Sequence, residues 1–210
     1  MKSIPPYVHN HQQMLFNVML FFVIGQYIVR EIQVATVFIK PALIDITFFI
    51  HNVIFLAVIL VRREYIQLDR NWFHWLISIF SFFSGLFFLK SSSSTGTIIE
   101  VADAITIAAI VVGMAALLSL GRSFGIVPAV RKVRTGGLYH IVRHPMFVSD
   151  ILFKIPLVLK YFTLYNSAIF ILSLLLYILR AQYEEELLLH TQEYQHYKNR
   201  VKYRFIPYIY

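Results

Sequence analysis

The chain has 210 residues, of which 58% are hydrophobic and 14% charged, and its formal net charge is +8. Soluble domains carry about 25% charged residues and disordered chains are poor in apolar residues, so both classes are excluded. The lack of cysteine excludes disulfides, thiolate metal sites, cysteine nucleophiles and prenylation of the chain itself. The composition indicates a helical membrane protein whose cations belong to cytoplasmic loops rather than to a nucleic-acid surface.

Long apolar stretches give the predicted elements in chain order. A membrane-spanning helix needs about 20 mostly apolar residues. Four stretches meet or approach this length, namely Met14–Val29, Ala42–Val61, Trp72–Leu89 and Ile98–Leu120. A fifth, Phe147–Leu179, is too long for one span and is interrupted by polar residues and Pro156, which favours a helical hairpin. We therefore predict an all-α fold, a polytopic transmembrane helical bundle of about six spans.

The distribution of cations gives this bundle an orientation. With six spans, 14 of the 19 Lys and Arg residues fall on one side of the membrane. Cytoplasmic loops carry the excess of Lys and Arg, so both termini are predicted to be cytoplasmic. The protein would then be an integral protein of a bacterial inner membrane or, in a eukaryote, of the endoplasmic reticulum.

The composition changes after the fourth span. Four of the eight glycines and four basic residues fall within residues 121–137, and apolar residues among them argue for an ordered irregular loop. Arg180–Arg200 is predicted to be a cytoplasmic amphipathic helix that continues from the last span. We thus divide the chain into N-terminal transmembrane helices, residues 1–120, and a C-terminal region, residues 121–210, with the loop, the hairpin and the amphipathic helix.

The first candidate site lies around His144 and Pro145. A residue before proline is pushed out of the helical conformation, so His144 is expected at a turn at the membrane face, where its ring and nearby backbone groups can meet a ligand. The alternative is an interfacial anchor, since Arg143 and His144 at the cytoplasmic end of a span need no other explanation.

The second candidate site lies at the end of the last span. Arg180 and Glu184 are four residues apart and share a helix face. A surface ion pair is the alternative interpretation. However, charges so close to the membrane are costly unless they are paired or used. An arginine can grip a carboxylate with two N–H groups, and a nearby glutamate can hold a cation. The pair therefore suits an amino-acid-like ligand, or a cationic cofactor beside an anionic substrate.

Other chemistries find little support. His140 and His144 are four apart, but the surrounding glycines and Pro145 disfavour a continuous helix, and no metal site is predicted. Dinucleotide-binding and P-loop motifs are missing from the sequence. Intramembrane acids are functional candidates by default, and three such acids have roles that stay open: Asp45, Asp103 and Asp150.

Taken together, five short motifs make the chain recognisable. They are G-R-S-F-G (Gly121–Gly125), T-G-G-L-Y (Thr135–Tyr139), R-H-P (Arg143–Pro145), R-x-x-x-E-E (Arg180–Glu185) and Y-x-x-Y-x-x-x-V-x-x-R-x-I-P (Tyr194–Pro207). In this order, flanking a helical hairpin, they resemble the isoprenylcysteine carboxyl methyltransferase family and, more broadly, the phospholipid methyltransferases. The resemblance covers about the last 90 residues.

The resemblance implies a bundle of membrane helices with a cytoplasmic pocket for S-adenosylmethionine and no metal. The residues that would wrap the cofactor are Arg131, Lys132, Val133, Arg134, Tyr139, His144, Pro145, Met146 and Phe147. Glu184 would contact it from the last helix. Arg180 would be the catalytic residue, holding the carboxylate of the acceptor, with Glu185 also binding substrate.

The expected reaction is therefore carboxyl O-methylation of a prenylcysteine-like lipophilic acceptor that enters from the bilayer lipids. A carboxylate is already a nucleophile, so in-line transfer needs alignment rather than a base. A phospholipid amine or a small thiol or hydroxyl acceptor remains open within the same class. An NADPH-dependent sterol-type reductase and a non-enzymatic scaffold remain open outside it.

Overall fold

The computed structural model of the chain describes Gly25 and residues 43–61, 65–90 and 96–209. Apart from Gly25, the predicted span Met14–Val29 lies outside the described residues. The described part is mostly helical, which confirms the predicted class. Its α-helices are α1 (Leu43–Val61), α2 (Trp72–Phe83), α3 (Thr97–Leu120), α4 (Pro145–Leu152), α5 (Ile155–Lys160), α6 (Leu164–Leu188) and α7 (Gln192–Arg200). Short 3₁₀ turns are Ser84–Phe87, Gly121–Ser123 and Gly137–His140.

Two of these helices are long and apolar enough to cross a membrane. They are α3 with its following 3₁₀ turn, Thr97–Ser123, and α6. Only 28% of the most apolar part of each is buried within the protein. Leu118 on α3 and Leu172 on α6 are at least half exposed. Ile46–Val61 and Trp72–Phe87 form shorter apolar helices. The apolar outer faces of α3 and α6 are what a lipid environment requires.

The first arm of the predicted hairpin is not a single helix. It is divided into α4 and α5 by a turn at Phe153 and Lys154. Pro156 has no N–H to donate to the carbonyl of Leu152, so a continuous helix would lose a hydrogen bond there. At the break, the buried Lys154 donates from Nζ to the carbonyl of Asp150 over 3.0 Å. The arm therefore bends where the sequence places proline.

The predicted continuous helix over Arg180–Arg200 is also wrong. Helix α6 ends at Leu188 and α7 begins at Gln192. Thr191 lies between them, and its hydroxyl oxygen accepts from the Tyr194 N–H, a side-chain N-cap. The same hydroxyl donates to the Leu188 carbonyl over 2.7 Å. A local cap thus outweighs the apolar stripe that suggested one helix.

A short antiparallel ribbon was not predicted. Strand β1 (Gln67–Leu68) pairs with β2 (Ala129–Val130), with Gln67 opposite Val130. The Ile66 N–H extends the pairing by donating to the Val130 carbonyl over 2.8 Å. The ribbon fastens the glycine-rich loop to the segment between α1 and α2. No local pattern marks two-residue strands that pair across about 60 positions.

The core lies among α1, α3, α4 and α6, where Phe55, Leu117, Phe147 and Tyr177 are buried in one cluster. Helices α3 and α4 approach closely at Gly113, where a Cβ would lie 2.6 Å from the Ser149 hydroxyl. That hydroxyl donates to the carbonyl of Ala109 over 3.0 Å. Small residues that admit a neighbouring helix are typical of packing in membranes.

Candidate functional site

A cleft that is partly open to solvent lies where the C-terminal ends of α3 and α6 meet the glycine-rich loop, the start of α4 and helix α7. Its walls combine aromatic rings, cations and two acids. The predicted site residues that line it are Arg131, Lys132, Val133, Arg134, Tyr139, His144, Met146, Phe147, Arg180 and Glu184. Residues predicted from separate parts of the sequence are thus brought together around one space. Pro145 and Glu185 are buried but do not line the cleft.

The glycine-rich loop carries the cationic wall. Ser123 donates from its hydroxyl to the Lys132 carbonyl over 2.9 Å, which ties the two ends of the loop together. Gly125 approaches the Arg131 guanidinium so closely that a Cβ would overlap it. Arg131 is buried, with its guanidinium 5.9 Å from the centre of the Tyr65 ring. Burial lowers the pKa of Arg131 to about 10, although the charge of Glu184 opposes this shift, so the cation persists at neutral pH.

Arg180 is held as a fixed cation at the cleft wall. Only 2% of it is exposed. Nη2 donates to the Ile126 carbonyl over 2.7 Å and Nη1 to the Ser81 hydroxyl over 3.3 Å. The guanidinium lies 4.5 Å from the centre of the Phe147 ring. Carbonyls and an aromatic face, rather than an ion pair with Glu184, therefore position this side chain.

Several donors at the cleft have no partner among the described residues. They are the Nε atoms of Arg131, Arg134 and Arg180, and the Tyr194 hydroxyl, all buried. Buried polar groups are nearly always hydrogen-bonded, so unpartnered atoms on four residues that line one cleft need an explanation. Three of them belong to cations, which suits an anionic ligand group. The carboxylate of Glu184 lines the same cleft and suits a cationic one.

A cluster of ion pairs lies beside the cleft and centres on Glu185, which is 2% exposed. Its Oε1 lies 2.8 Å from Arg143 Nε, 3.1 Å from His144 Nε2 and 3.1 Å from Arg204 Nε. Arg204 also donates from Nη2 to Oε2 over 3.2 Å. These bonds engage Glu185 within the protein and fix its neighbours, and its predicted role as a substrate ligand stays a prediction.

This cluster, which we call the Glu185 cluster (Arg143, His144, Glu185 and Arg204), attaches the C-terminal segment to the site. Arg143 Nη1 donates to the Val201 carbonyl over 2.9 Å and to the Lys202 carbonyl over 2.6 Å. The backbone N–H of His144 donates to the Arg204 carbonyl over 3.0 Å. His144 thus reaches the cleft with its Nε2 already bonded to Glu185, and its ring stacks on Phe147 at 5.1 Å.

A tyrosine cluster closes the other side of the cleft. Tyr139, Tyr194 and Tyr197 are buried together, and the Tyr197 hydroxyl donates to the Tyr139 carbonyl over 2.7 Å. Burial raises the pKa of Tyr139 and of Tyr194 well above the usual range, so both phenols stay neutral. They can donate hydrogen bonds to a ligand but cannot act as phenolate bases.

The motifs did not predict two features of the site. Arg143 and Arg204 belong to two of the motifs, but no linear spacing relates either of them to Glu185, so their ion pairs with it were not predicted. Asp150 was a candidate without a partner. The structure places it on the cleft wall, with its Oδ2 accepting from the Tyr177 hydroxyl over 3.1 Å. Its position six residues after His144 was the only signal in the sequence.

The described ranges contain no group of three or more His, Cys, Asp or Glu residues arranged to hold a metal ion. A scan against protein-family models and a search of curated proteins found no match to this chain. The resemblance of the motifs therefore stays a resemblance, and the functional argument depends on the cleft.

Proposed function

We propose that this chain is a membrane methyltransferase that uses S-adenosylmethionine. The observation that carries the proposal is the convergence of the cationic loop, the His144–Phe147 turn, Arg180 and Glu184 on one cleft whose buried donors lack partners. These residues come from separate parts of the sequence and were assigned from the family resemblance alone. A structural role would have paired their polar groups within the protein.

The residues of the cleft fit this cofactor. Its amino-acid carboxylate matches the unpartnered Nε atoms of Arg131 and Arg134. Its cationic groups match Glu184, and the Tyr139 ring supplies a flat apolar surface for the adenine. Bound there, S-adenosylmethionine supplies an electrophilic methyl group on a sulfonium. The role of the chain is then to hold donor and acceptor in line.

Arg180 is the residue that we assign to the acceptor. Its Nε is unpartnered, whereas its outer nitrogens are fixed by Ile126 and Ser81. A fixed guanidinium orients a carboxylate without any rearrangement at the moment of reaction. An acceptor carboxylate is already a nucleophile, so Arg180 would need only to hold it in place and no residue of the chain would need to remove a proton from it. The acceptor that this suits is a prenylcysteine-like carboxylate carrying a lipid chain.

The membrane placement belongs to the same proposal. The outward-facing apolar surfaces of α3 and α6 support a bundle of six spans, with both termini and the cleft on the cytoplasmic side. Apolar rings from Phe82, Phe124 and Phe147 line the cleft. They would receive a prenyl chain from the bilayer, which is a reason for such an enzyme to lie in a membrane.

The test uses the full chain purified in detergent and S-adenosylmethionine labelled in its methyl group. We expect base-labile label on N-acetyl-S-farnesylcysteine and equilibrium binding of S-adenosylhomocysteine, but no binding of NADPH. Label only on phosphatidylethanolamine or a simple thiol would overturn the carboxylate assignment and keep the methyltransferase. Binding of NADPH instead of S-adenosylhomocysteine would overturn the whole proposal in favour of a reductase. Binding of neither would favour a scaffold.

A further inference from the structure

Asp150 is a charged group at the cleft that methyl transfer to a carboxylate does not use. It lies on α4, outside the five motifs, and lines the cleft beside Arg180. A carboxylate in a cleft with aromatic walls is costly unless something pairs with it. It would also repel an acceptor that carries only a negative charge. Its presence therefore carries information about the acceptor.

Among the described residues, only one oxygen of this carboxylate accepts a hydrogen bond. Tyr177 donates to Oδ2 over 3.1 Å. The neighbouring amine of Lys154 donates to the backbone carbonyl of Asp150 over 3.0 Å and lies over the Tyr177 ring at 4.9 Å. Within the described part of the chain, Oδ1 accepts no hydrogen bond. Asp150 is thus held in place and retains one oxygen for a ligand.

Arg180 is connected to Asp150 through the rings of Phe147 and Tyr177. On α4, Phe147 and Asp150 are three residues apart, and on α6, Tyr177 and Arg180 are three residues apart. The Phe147 ring contacts both of these α6 residues, with the Arg180 guanidinium at 4.5 Å and the Tyr177 ring at 5.4 Å from its centre. Residues at this spacing on a helix have Cβ atoms ~5–6 Å apart. An anion and a cation of the protein therefore flank one part of the cleft.

We infer that the head of the acceptor is zwitterionic, with an amino group bound at Asp150 and an anionic group, carboxylate or phosphate, bound at Arg180. This inference rests on the proposed function and narrows its substrate class. An ammonium at Oδ1 forms a charge-assisted hydrogen bond and completes the pairing of the carboxylate. An acylated amine has no charge and leaves Asp150 unpaired, so the site discriminates against it.

The first test needs no variant. The full chain in detergent is given S-farnesylcysteine or N-acetyl-S-farnesylcysteine, which differ in the charge of one nitrogen. A second pair, phosphatidylethanolamine and its N-acylated form, carries phosphate in place of carboxylate and is compared by equilibrium binding, because N-acylation also removes its nucleophilic nitrogen. We expect the free amine to be favoured about tenfold, the effect of one charge-assisted hydrogen bond, either in kcat/KM for the first pair or in affinity for the second, depending on which pair supplies the native anion. Equal or better use of N-acetyl-S-farnesylcysteine, together with equal or better binding of the acylated phospholipid, would overturn the inference.

The second test assigns the preference to Asp150. Asp150→Asn should bring the ratio between the free and the acylated acceptor close to one, while S-adenosylhomocysteine binds as before. The matched control is Asp103→Asn, because Asp103 pairs with Lys160 at 2.5 Å and does not line the cleft. It should retain the preference. A ratio that survives in Asp150→Asn, or a parallel loss of S-adenosylhomocysteine affinity, would overturn the inference.

Equilibrium binding of the labelled acceptors separates this inference from the proposed function. If no acceptor is methylated and S-adenosylhomocysteine does not bind, the proposed function fails. The acceptor pairs still report on Asp150, because a preference in binding for the free amine that Asp150→Asn removes would support the zwitterionic site alone. Equal binding of both forms to the wild type would overturn it.

Discussion

Two neighbouring glutamates of α6 have opposite surroundings. Glu185 is buried against Arg143, His144 and Arg204, and each of them lies within 3.1 Å of its Oε1. Glu184 lines the cleft and, within the described ranges, makes no hydrogen bond or ion pair. The Glu185 carboxylate therefore forms its bonds within the protein, whereas the Glu184 carboxylate remains available to a ligand.

The same difference separates the two regions as wholes. In the Glu185 cluster, the cations are paired with the Glu185 carboxylate, and Arg143 also donates to backbone carbonyls of the C-terminal segment. These bonds hold that segment in place. In the cleft, the Nε atoms of Arg131, Arg134 and Arg180 are buried without partners among the described residues. A buried donor without a partner lowers the stability of the protein, and such donors are retained where a ligand supplies the missing partner. The comparison predicts that substitutions in the cluster lower stability, and that substitutions in the cleft lower binding and activity.

The largest effect is expected for Glu185→Gln. The change keeps the shape of the side chain and removes the charge that compensates the buried Arg143 and the neighbouring Arg204. Breaking a buried ion pair in this way costs about 3 kcal/mol. We expect the thermal midpoint of the full chain in detergent to fall by several degrees. Glu186→Gln is the control, because Glu186 is exposed. Equal midpoints for the two variants would show that the cluster does not hold the fold.

Arg180→Ala should give the next largest effect, this time on chemistry. Loss of a fixed group that orients a charged reactant lowers kcat/KM by about 100-fold or more. The affinity for S-adenosylhomocysteine should stay within about threefold of the wild type, since Arg180 is assigned to the acceptor. Methyl transfer and equilibrium binding are measured on the same preparation. Equal losses in both would move Arg180 from the acceptor to the cofactor.

Glu184→Gln should affect binding of the cofactor rather than stability. The carboxylate faces the cleft, so the change removes one charge-assisted contact, and the affinity for S-adenosylhomocysteine should fall about tenfold. The thermal midpoint without ligand should be that of the wild type. A large fall in the midpoint with unchanged affinity would contradict the contrast with Glu185.

The elements that could be predicted from sequence are those fixed by local composition. The run Ile98–Leu120 predicted a helix that the structure gives as Thr97–Leu120, because a continuous apolar stretch specifies its own length. The break before α7 could not be predicted in this way. It depends on a Thr191 cap that competes with an apolar stripe continuing on both sides.

The candidate site shows the same difference between features that depend on local sequence and features that depend on distant contacts. Arg131 and Phe147 could be assigned to the cleft because each lies close in sequence to a short motif that specifies a local turn, and the turns position the side chains. The partner of Glu185 at Arg204 depends on how the C-terminal segment returns to α4, which no spacing encodes. Asp150 became interpretable only when the packing of α4 on α6 placed Tyr177 beside it.

The smallest effect is expected for Gly125→Ala. A methyl group there would overlap the Arg131 guanidinium, which is the movable end of a long side chain, so Arg131 should shift rather than the backbone. The cationic wall is then displaced, and the affinity for S-adenosylhomocysteine should fall by about threefold, with little change in the thermal midpoint. Gly136→Ala is the matched control, because nothing lies within 4 Å of a Cβ at that position. If both variants bind S-adenosylhomocysteine like the wild type, the position of Arg131 does not affect ligand binding. The cations of the cleft would then not be binding groups, contrary to the contrast drawn with the Glu185 cluster.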